Sequence, residues 1–179
     1  AVNVFAPAAC CAPRVLRCPL LHANEHRPHV PRLGNFMSQT ALLAPVFLQV
    51  LLTFVVLIAM GSARSRSLQS TKTSMNEKSV SLGAYAWSEE ATKRANSFHN
   101  QFELPVLFYA AVAFALILKQ ADGLLVVLAW AFVLSRIAHA AIHLGANIVS
   151  QRFAAYVAGM VALAAMWLVL AWRVVVTGV

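Results

Sequence analysis

Arg136, His139 and His143 stand at i, i+3 and i+7. On a helix of 3.6 residues per turn all three fall on one stripe. Together they offer fixed positive charge, several N–H donors and imidazoles that titrate near neutral pH. That set suits an anionic ligand held by charge-assisted, in part bidentate, hydrogen bonds. Downstream, Arg152 and Tyr156 are four residues apart and add a second guanidinium and a phenol. Upstream, Asn96, His99, Asn100 and Glu103 are spaced by three and four and share a helix face. Asn100 and Glu103 are candidates for the same ligand, whereas Asn96 is read as a solvated helix position. Two arginines and two histidines against one acid leave surplus positive potential. A metal held by the histidines and Glu103 is not expected, because the arginines oppose a cation.

The elements that must position these residues follow from composition. The chain has 179 residues, of which 60% are apolar and 11% charged, with a mean hydropathy of +0.71. Soluble domains are about 45–50% apolar and about 25% charged, so an ordinary soluble domain and a disordered chain are both excluded. The net charge of +8 would suit nucleic acid or an anionic membrane surface. No nucleic-acid motif is present, so the membrane reading stands and nucleic acid is not an expected partner. Four apolar runs predict spans at about 41–60, 102–118, 124–144 and 153–176, each near the length that crosses a bilayer core. The runs are continuous rather than alternating, which excludes a β-barrel. Short turns between the later spans give an all-α integral membrane protein, an antiparallel four-helix transmembrane bundle.

In that topology the start of span two, the end of span three and the start of span four meet at one membrane face. They gather Asn100, Glu103, Arg136, His139, His143, Arg152 and Tyr156. Arg136 lies eight residues before Leu144, about 12 Å into the span at 1.5 Å per residue. An arginine at such depth costs about 2.5–3.5 kcal/mol or more on insertion scales. It must therefore face the interior and meet an acid, a carbonyl or a ligand. The plain structural alternative is an ion pair with Glu103, and for each histidine an interior hydrogen bond. In span four Ala154, Ala158 and Ala162 repeat every four residues, as do Ala155 and Gly159, which predicts close helix packing.

The remaining segments carry less chemistry. Residues 1–36 hold all three cysteines and five of the seven prolines, with no hydrophobic period. Met37 is expected to be the start of the mature protein, with 1–36 an unstructured upstream tail; a targeting segment is the alternative. Residues 37–179 then form the membrane domain. In the loop 61–101 the Ser/Thr-rich part, 61–83, is expected to be mobile. Ser88 should cap a helix with Glu89 and Glu90 in its first turn, running to about 118 with a bend near Pro105. Arg64, Arg66, Lys72, Lys78, Lys93, Arg94 and Arg152 fall on one side of the membrane, against Lys119 and Arg173 on the other when the tail is left out. The positive-inside rule puts loop 61–101 in the cytoplasm. Compact loops and alanine-rich spans suggest a bacterial inner membrane.

These residues resemble the MAPEG family (membrane-associated proteins in eicosanoid and glutathione metabolism). The resemblance covers about 41–176. It rests on four short spans with a long polar first loop, on Arg94-Ala95, and on Asn100-x-x-Glu103 before Pro105. It rests most on Arg136-Ile137-Ala138-His139, Leu144-Gly145, Arg152 and Tyr156. It implies a homotrimer that binds glutathione as co-substrate between subunits near the cytoplasmic face. Asn100, Glu103, Arg136 and His139 would hold the tripeptide, with His143 and Tyr156 beside them. Arg152 would be the catalytic cation near the thiol, and membrane lipid would deliver an apolar small-molecule substrate. Three departures accompany the resemblance: Phe153 where prostaglandin-synthesising members carry serine, His143 where eicosanoid enzymes carry tyrosine, and altered spacing between Arg94, Asn100, Glu103 and Pro105. Two functions follow. One is a glutathione-dependent membrane transferase or peroxidase acting on an apolar electrophile or lipid hydroperoxide. The other is a non-catalytic protein of the same fold that binds a lipid or a partner helix.

Overall fold

The computed structural model describes residues 33–177. The expectations for residues 1–32, including the cysteines, lie outside the described residues. The order is α1 (Leu33–Thr71), α2 (Lys78–Ser81), α3 (Glu89–His99), α4 (Leu104–Ile117), α5 (Gly123–Leu144) and α6 (Val149–Thr177). There is no strand among the described residues. Four stretches are long and apolar enough to cross a membrane: Gln39–Thr71, Glu89–Ile117, Gly123–Leu144 and Val149–Val176. They contain all four expected spans.

Helix α1 has 39 residues, about 58 Å at 1.5 Å per residue, well beyond the roughly 30 Å of a hydrocarbon core. The helix starts at Leu33, ahead of Met37, and runs through residues 61–71, which were expected to be loop. Nothing in that stretch breaks a helix strongly, and its hydroxyls bond back to the preceding turn. Ser62 Oγ donates to Ala59 O at 2.8 Å and Ser70 Oγ to Ser67 O at 2.8 Å. The helix stops where Lys72 takes φ 52° and the Thr73 amide reaches back to Leu68 O at 3.0 Å. The following linker is then fastened to α1. Tyr85 Oη and Thr71 Oγ1 are 2.7 Å apart, the Ser88 amide donates to Ser67 Oγ at 3.1 Å, and Arg64 Cζ lies 5.0 Å from the centre of the Trp87 ring.

The second span is two helices. Ser88 caps α3 as expected, its hydroxyl accepting from the Ala91 amide. Instead of bending, the chain breaks between His99 and Leu104. Pro105 has no N–H for the Gln101 carbonyl, its ring crowds that carbonyl, and it disfavours a helical conformation at Leu104. Helix α4 then restarts with only 14 residues.

The core joins all four spans. Leu42, Phe108, Val112, Leu125, Phe132, Leu163 and Met166 are buried together, and the Phe108 and Phe132 rings stack 4.6 Å apart. Helix α6 packs most extensively on α5. Part of the small-residue stripe explains this: Gly159 is buried against α5, where a Cβ would collide with Ser135 Oγ and come within 3.7 Å of Arg136 Cδ. Ala154 and Ala158 of the other stripe are exposed. At the opposite end of the bundle Asp122 caps α5 by accepting from the Leu125 amide at 3.1 Å, and it accepts from Arg173 Nη2 on α6.

Two predictions follow from these contacts. Gly159→Ala should lower the melting temperature in detergent, by about 1–3 kcal/mol of overpacking. The Ser135→Ala background should recover much of that loss, because the colliding oxygen is gone; equal losses in both backgrounds would refute the close-approach account. Burial works against the Asp122 carboxylate, but the Arg173 hydrogen bond, the Leu125 amide and the Arg173 charge outweigh it and hold its pKa below the ordinary 3.8. A carboxyl lowered on folding stabilises above its unfolded pKa and loses that contribution as pH falls through the folded one. Asp122→Ala should therefore cost about 1 kcal/mol at neutral pH and show a shallower loss of stability below about pH 4. Thermal unfolding across pH 3–7 reads both.

Candidate functional site

At the end of the bundle where α3 breaks, α5 ends and α6 begins, there is a cavity of about 340 Å³. It is lined by Asn96, Asn100, His139, His143, Val149, Arg152, Phe153 and Tyr156. Five of the seven expected site residues thus meet on one wall. No carboxylate among the described residues lines it.

Arg136 lies behind this wall and is fully buried. Of the three kinds of partner open to it, the structure supplies a carbonyl: Arg136 Nη2 donates to Asn100 O at 2.6 Å. That oxygen is available only because the chain breaks there. In a continuous helix it would accept from the Leu104 amide, whereas here it is one of the open carbonyls at the negative end of α3. The Arg136 guanidinium also sits 5.8 Å from the centre of the Tyr156 ring. Its Nε and Nη1 are buried without a hydrogen-bond partner. Glu103 does not pair with Arg136. It is exposed at the N-terminus of α4, off the cavity wall.

The break itself is fastened to α1. Gln49 is fully buried and its Nε2 donates to Gln101 Oε1 at 3.0 Å, while Gln101 Nε2 reaches Ser97 O at 3.5 Å. This polar knot holds the residue next to Asn100.

The two imidazoles differ sharply. His139 is engaged at both nitrogens: Nδ1 lies 3.0 Å from Arg152 O, and Nε2 lies 3.4 Å from Asn100 Nδ2. A ring that donates from Nδ1 and accepts at Nε2 satisfies both contacts in its neutral form. His143 is 4% exposed, and its Nδ1 is buried with no partner. The rings stand 5.9 Å apart, edge to face.

Arg152 is steered by the turn between α5 and α6. Asn147 takes φ 53°, in the left-handed region asparagine tolerates, and its amide closes α5 by donating to Ile142 O at 2.8 Å. Its side-chain Oδ1 accepts from Arg152 Nη1 at 2.9 Å. Lys93 on α3 caps the same helix end, donating to Gly145 O at 2.7 Å. Arg94 is turned away from the cavity, bonded to Ala59 O at 3.1 Å and paired with Glu90. It ties α3 to α1.

Sequence reasoning missed Asn96 as a lining residue, Gln49 and Gln101 as the pin of the break, and Asn147 as the residue that aims Arg152. Gln49 had a visible signal, an amide side chain in an otherwise apolar span. Asn147 had a weaker one, an asparagine just past a helix end.

The arrangement can bind an anion. Arg152 and His143 face the space, the Asn96 and Asn100 amides add neutral donors and acceptors, and Phe153 and Val149 make an apolar rim. A family model described as the MAPEG family matches residues 42–172, most of the chain. No curated protein and no solved structure matches.

Gln49→Leu should cost about 1–2 kcal/mol of stability and lower the melting temperature, since Gln101 Oε1 loses its donor inside the bundle. An unchanged melting curve in detergent would mean that the pair does not hold the break.

Proposed function

The chain belongs to the MAPEG family, and on that premise we propose that it is a glutathione-dependent membrane transferase or peroxidase acting on an apolar electrophile or lipid hydroperoxide. The observation that carries this reading is the cavity wall on which Arg152, His139, His143 and Tyr156 converge without a carboxylate. Its volume of about 340 Å³ falls within the ~300–1,000 Å³ of small-molecule sites. Glutathione carries two carboxylates, two amide groups, one ammonium and a thiol. The cationic wall answers its carboxylates, and Asn96 and Asn100 answer its peptide groups.

Arg152 is assigned the catalytic role. A thiolate is the nucleophile, and a neighbouring cation lowers a thiol pKa from about 8.5. Asn147 holds the Arg152 guanidinium at one corner and leaves its other N–H groups for that charge. Arg136 supports the wall from behind through Asn100 and adds positive potential. Phe153 gives the rim an apolar edge for a second substrate that arrives through the lipid.

The proposal includes a homotrimer and a cytoplasmic position for the linker and the cavity mouth, in a bacterial inner membrane. In a trimer Glu103, exposed at the start of α4, is free to serve the ammonium group of a tripeptide bound between subunits. The altered first block and Phe153 favour a second reading, a non-catalytic relative that holds a lipid in the same cavity.

Glutathione titrated into the detergent-solubilised protein near pH 7, followed by ultraviolet thiolate absorbance, separates the two. A saturable thiolate signal is expected. Arg152→Ala should still bind glutathione, measured by calorimetry, but show at least a tenfold smaller thiolate signal. Full thiolate formation in that variant would remove Arg152 from the catalytic role. No binding by the unaltered protein would favour the lipid-holding reading.

A further inference from the structure

Two histidines occupy one stripe of α5 one turn apart, yet their surroundings are opposite. His139 has a partner at each ring nitrogen. His143 makes no hydrogen bond at either among the described residues, and its Nδ1 is sealed from solvent. Leaving such a buried atom unpaired costs about 1–3 kcal/mol, and native structures rarely carry one without a chemical reason.

His143 lines the cavity. Because Nδ1 is the enclosed nitrogen, Nε2 is the one that meets the cavity. The charged and titratable groups around the ring are Arg152, His139 and Lys93. Lys93 is occupied by the Gly145 and Leu144 carbonyls, and His139 by Arg152 O and Asn100. No carboxylate among the described residues lines the cavity beside His143. The ring therefore brings an unpartnered nitrogen to the cavity, beside a guanidinium suited to a new negative charge. A base poised in this way beside a stabilising cation is the arrangement that activates a weak nucleophile.

We infer that His143 is the general base of this site, taking the thiol proton of the bound substrate onto Nε2 while Arg152 holds the resulting thiolate. The S–H bond breaks, its electron pair stays on sulfur, and the proton forms the new N–H bond. After the sulfur has attacked its electrophile, His143 returns the proton to the atom left negative in the product, and the ring is neutral again. His139 does not share this task, since both its nitrogens are already engaged. The inference rests on the glutathione reading above.

The proton itself supplies the test. Glutathione binding at pH 7 is measured by calorimetry in two buffers of different ionisation enthalpy, alongside the thiolate absorbance. With His143 as acceptor, fewer protons reach the buffer than thiolates form, because the new thiolate is the anion that holds the proton on the ring. Without a protein base, one proton is released for each thiolate formed. His143→Gln and His143→Phe should each lower the thiolate signal at pH 7 by about tenfold or more, with binding affinity changed less. His143→Phe should also melt no lower than the unaltered protein, because it removes the unpaired nitrogen, which separates this role from a structural one. Release of a full proton by the unaltered protein, or an undiminished thiolate signal in both variants, overturns the inference and leaves the glutathione reading standing. Absence of glutathione binding in the unaltered protein overturns both.

Discussion

A guanidinium buried inside a membrane helix must find acceptors, and Arg136 is the constraint around which this bundle is organised. It sits in α5 with no solvent contact and no carboxylate partner among the described residues. Its acceptor is a main-chain carbonyl, Asn100 O, which is free because Pro105 prevents α3 and α4 from joining. The broken helix, the Gln49–Gln101 pin and the tilt of Asn100 toward α5 are parts of one solution. Irregular backbone at such depth is tolerated only where protein or a water-filled cavity covers it. Here α1 covers one side and the cavity opens on the other.

The same solution shapes the electrostatics of the cavity. Positive charge is held in place by neutral groups: a carbonyl for Arg136, an asparagine oxygen for Arg152, two helix-end carbonyls for Lys93. Each bond orients a cation without cancelling it. Of the acids nearby, Glu90 is spent on Arg94 and Arg66, and Glu103 is exposed at the start of α4, off the cavity wall. The cavity therefore keeps a field that an acidic partner would have quenched.

Much of this was legible in the residues. Four long apolar runs fixed the number of spans, and the i, i+3, i+7 spacing put Arg136, His139 and His143 on one face, where the structure has them. Ser88 could be read as a cap from its position before two glutamates. Other features left no mark in residue type. The partner of Arg136 is a carbonyl, a group every residue carries, so the pattern favoured no particular one and made Glu103 the conspicuous alternative. The length of α1 was hidden because its polar end looks like a loop. Its serines and threonines bond within the helix, and only the linker that lies against it shows why it persists. Arg94 belongs to the stretch that resembles the family, but its altered spacing from Asn100 sets it apart from the ligand residues, and it bonds to α1 instead.

The shortness of α4 has a consequence for the membrane itself. Fourteen residues span about 21 Å, some 9 Å less than a typical hydrocarbon core. On that flank the remaining thickness falls to the break and the polar helix α3, to a thinner bilayer, or to another protein surface. The break and the polar α3 bring headgroups and water toward the level of Asn100, so a polar reactant would travel a shorter path through oil than the overall height of the bundle suggests. Mismatch of this kind has a modest cost per ångström, but it acts on every copy. It should favour thinner membranes as host and make bilayer thickness a control on how readily the polar pocket and the acyl-chain region exchange their occupants.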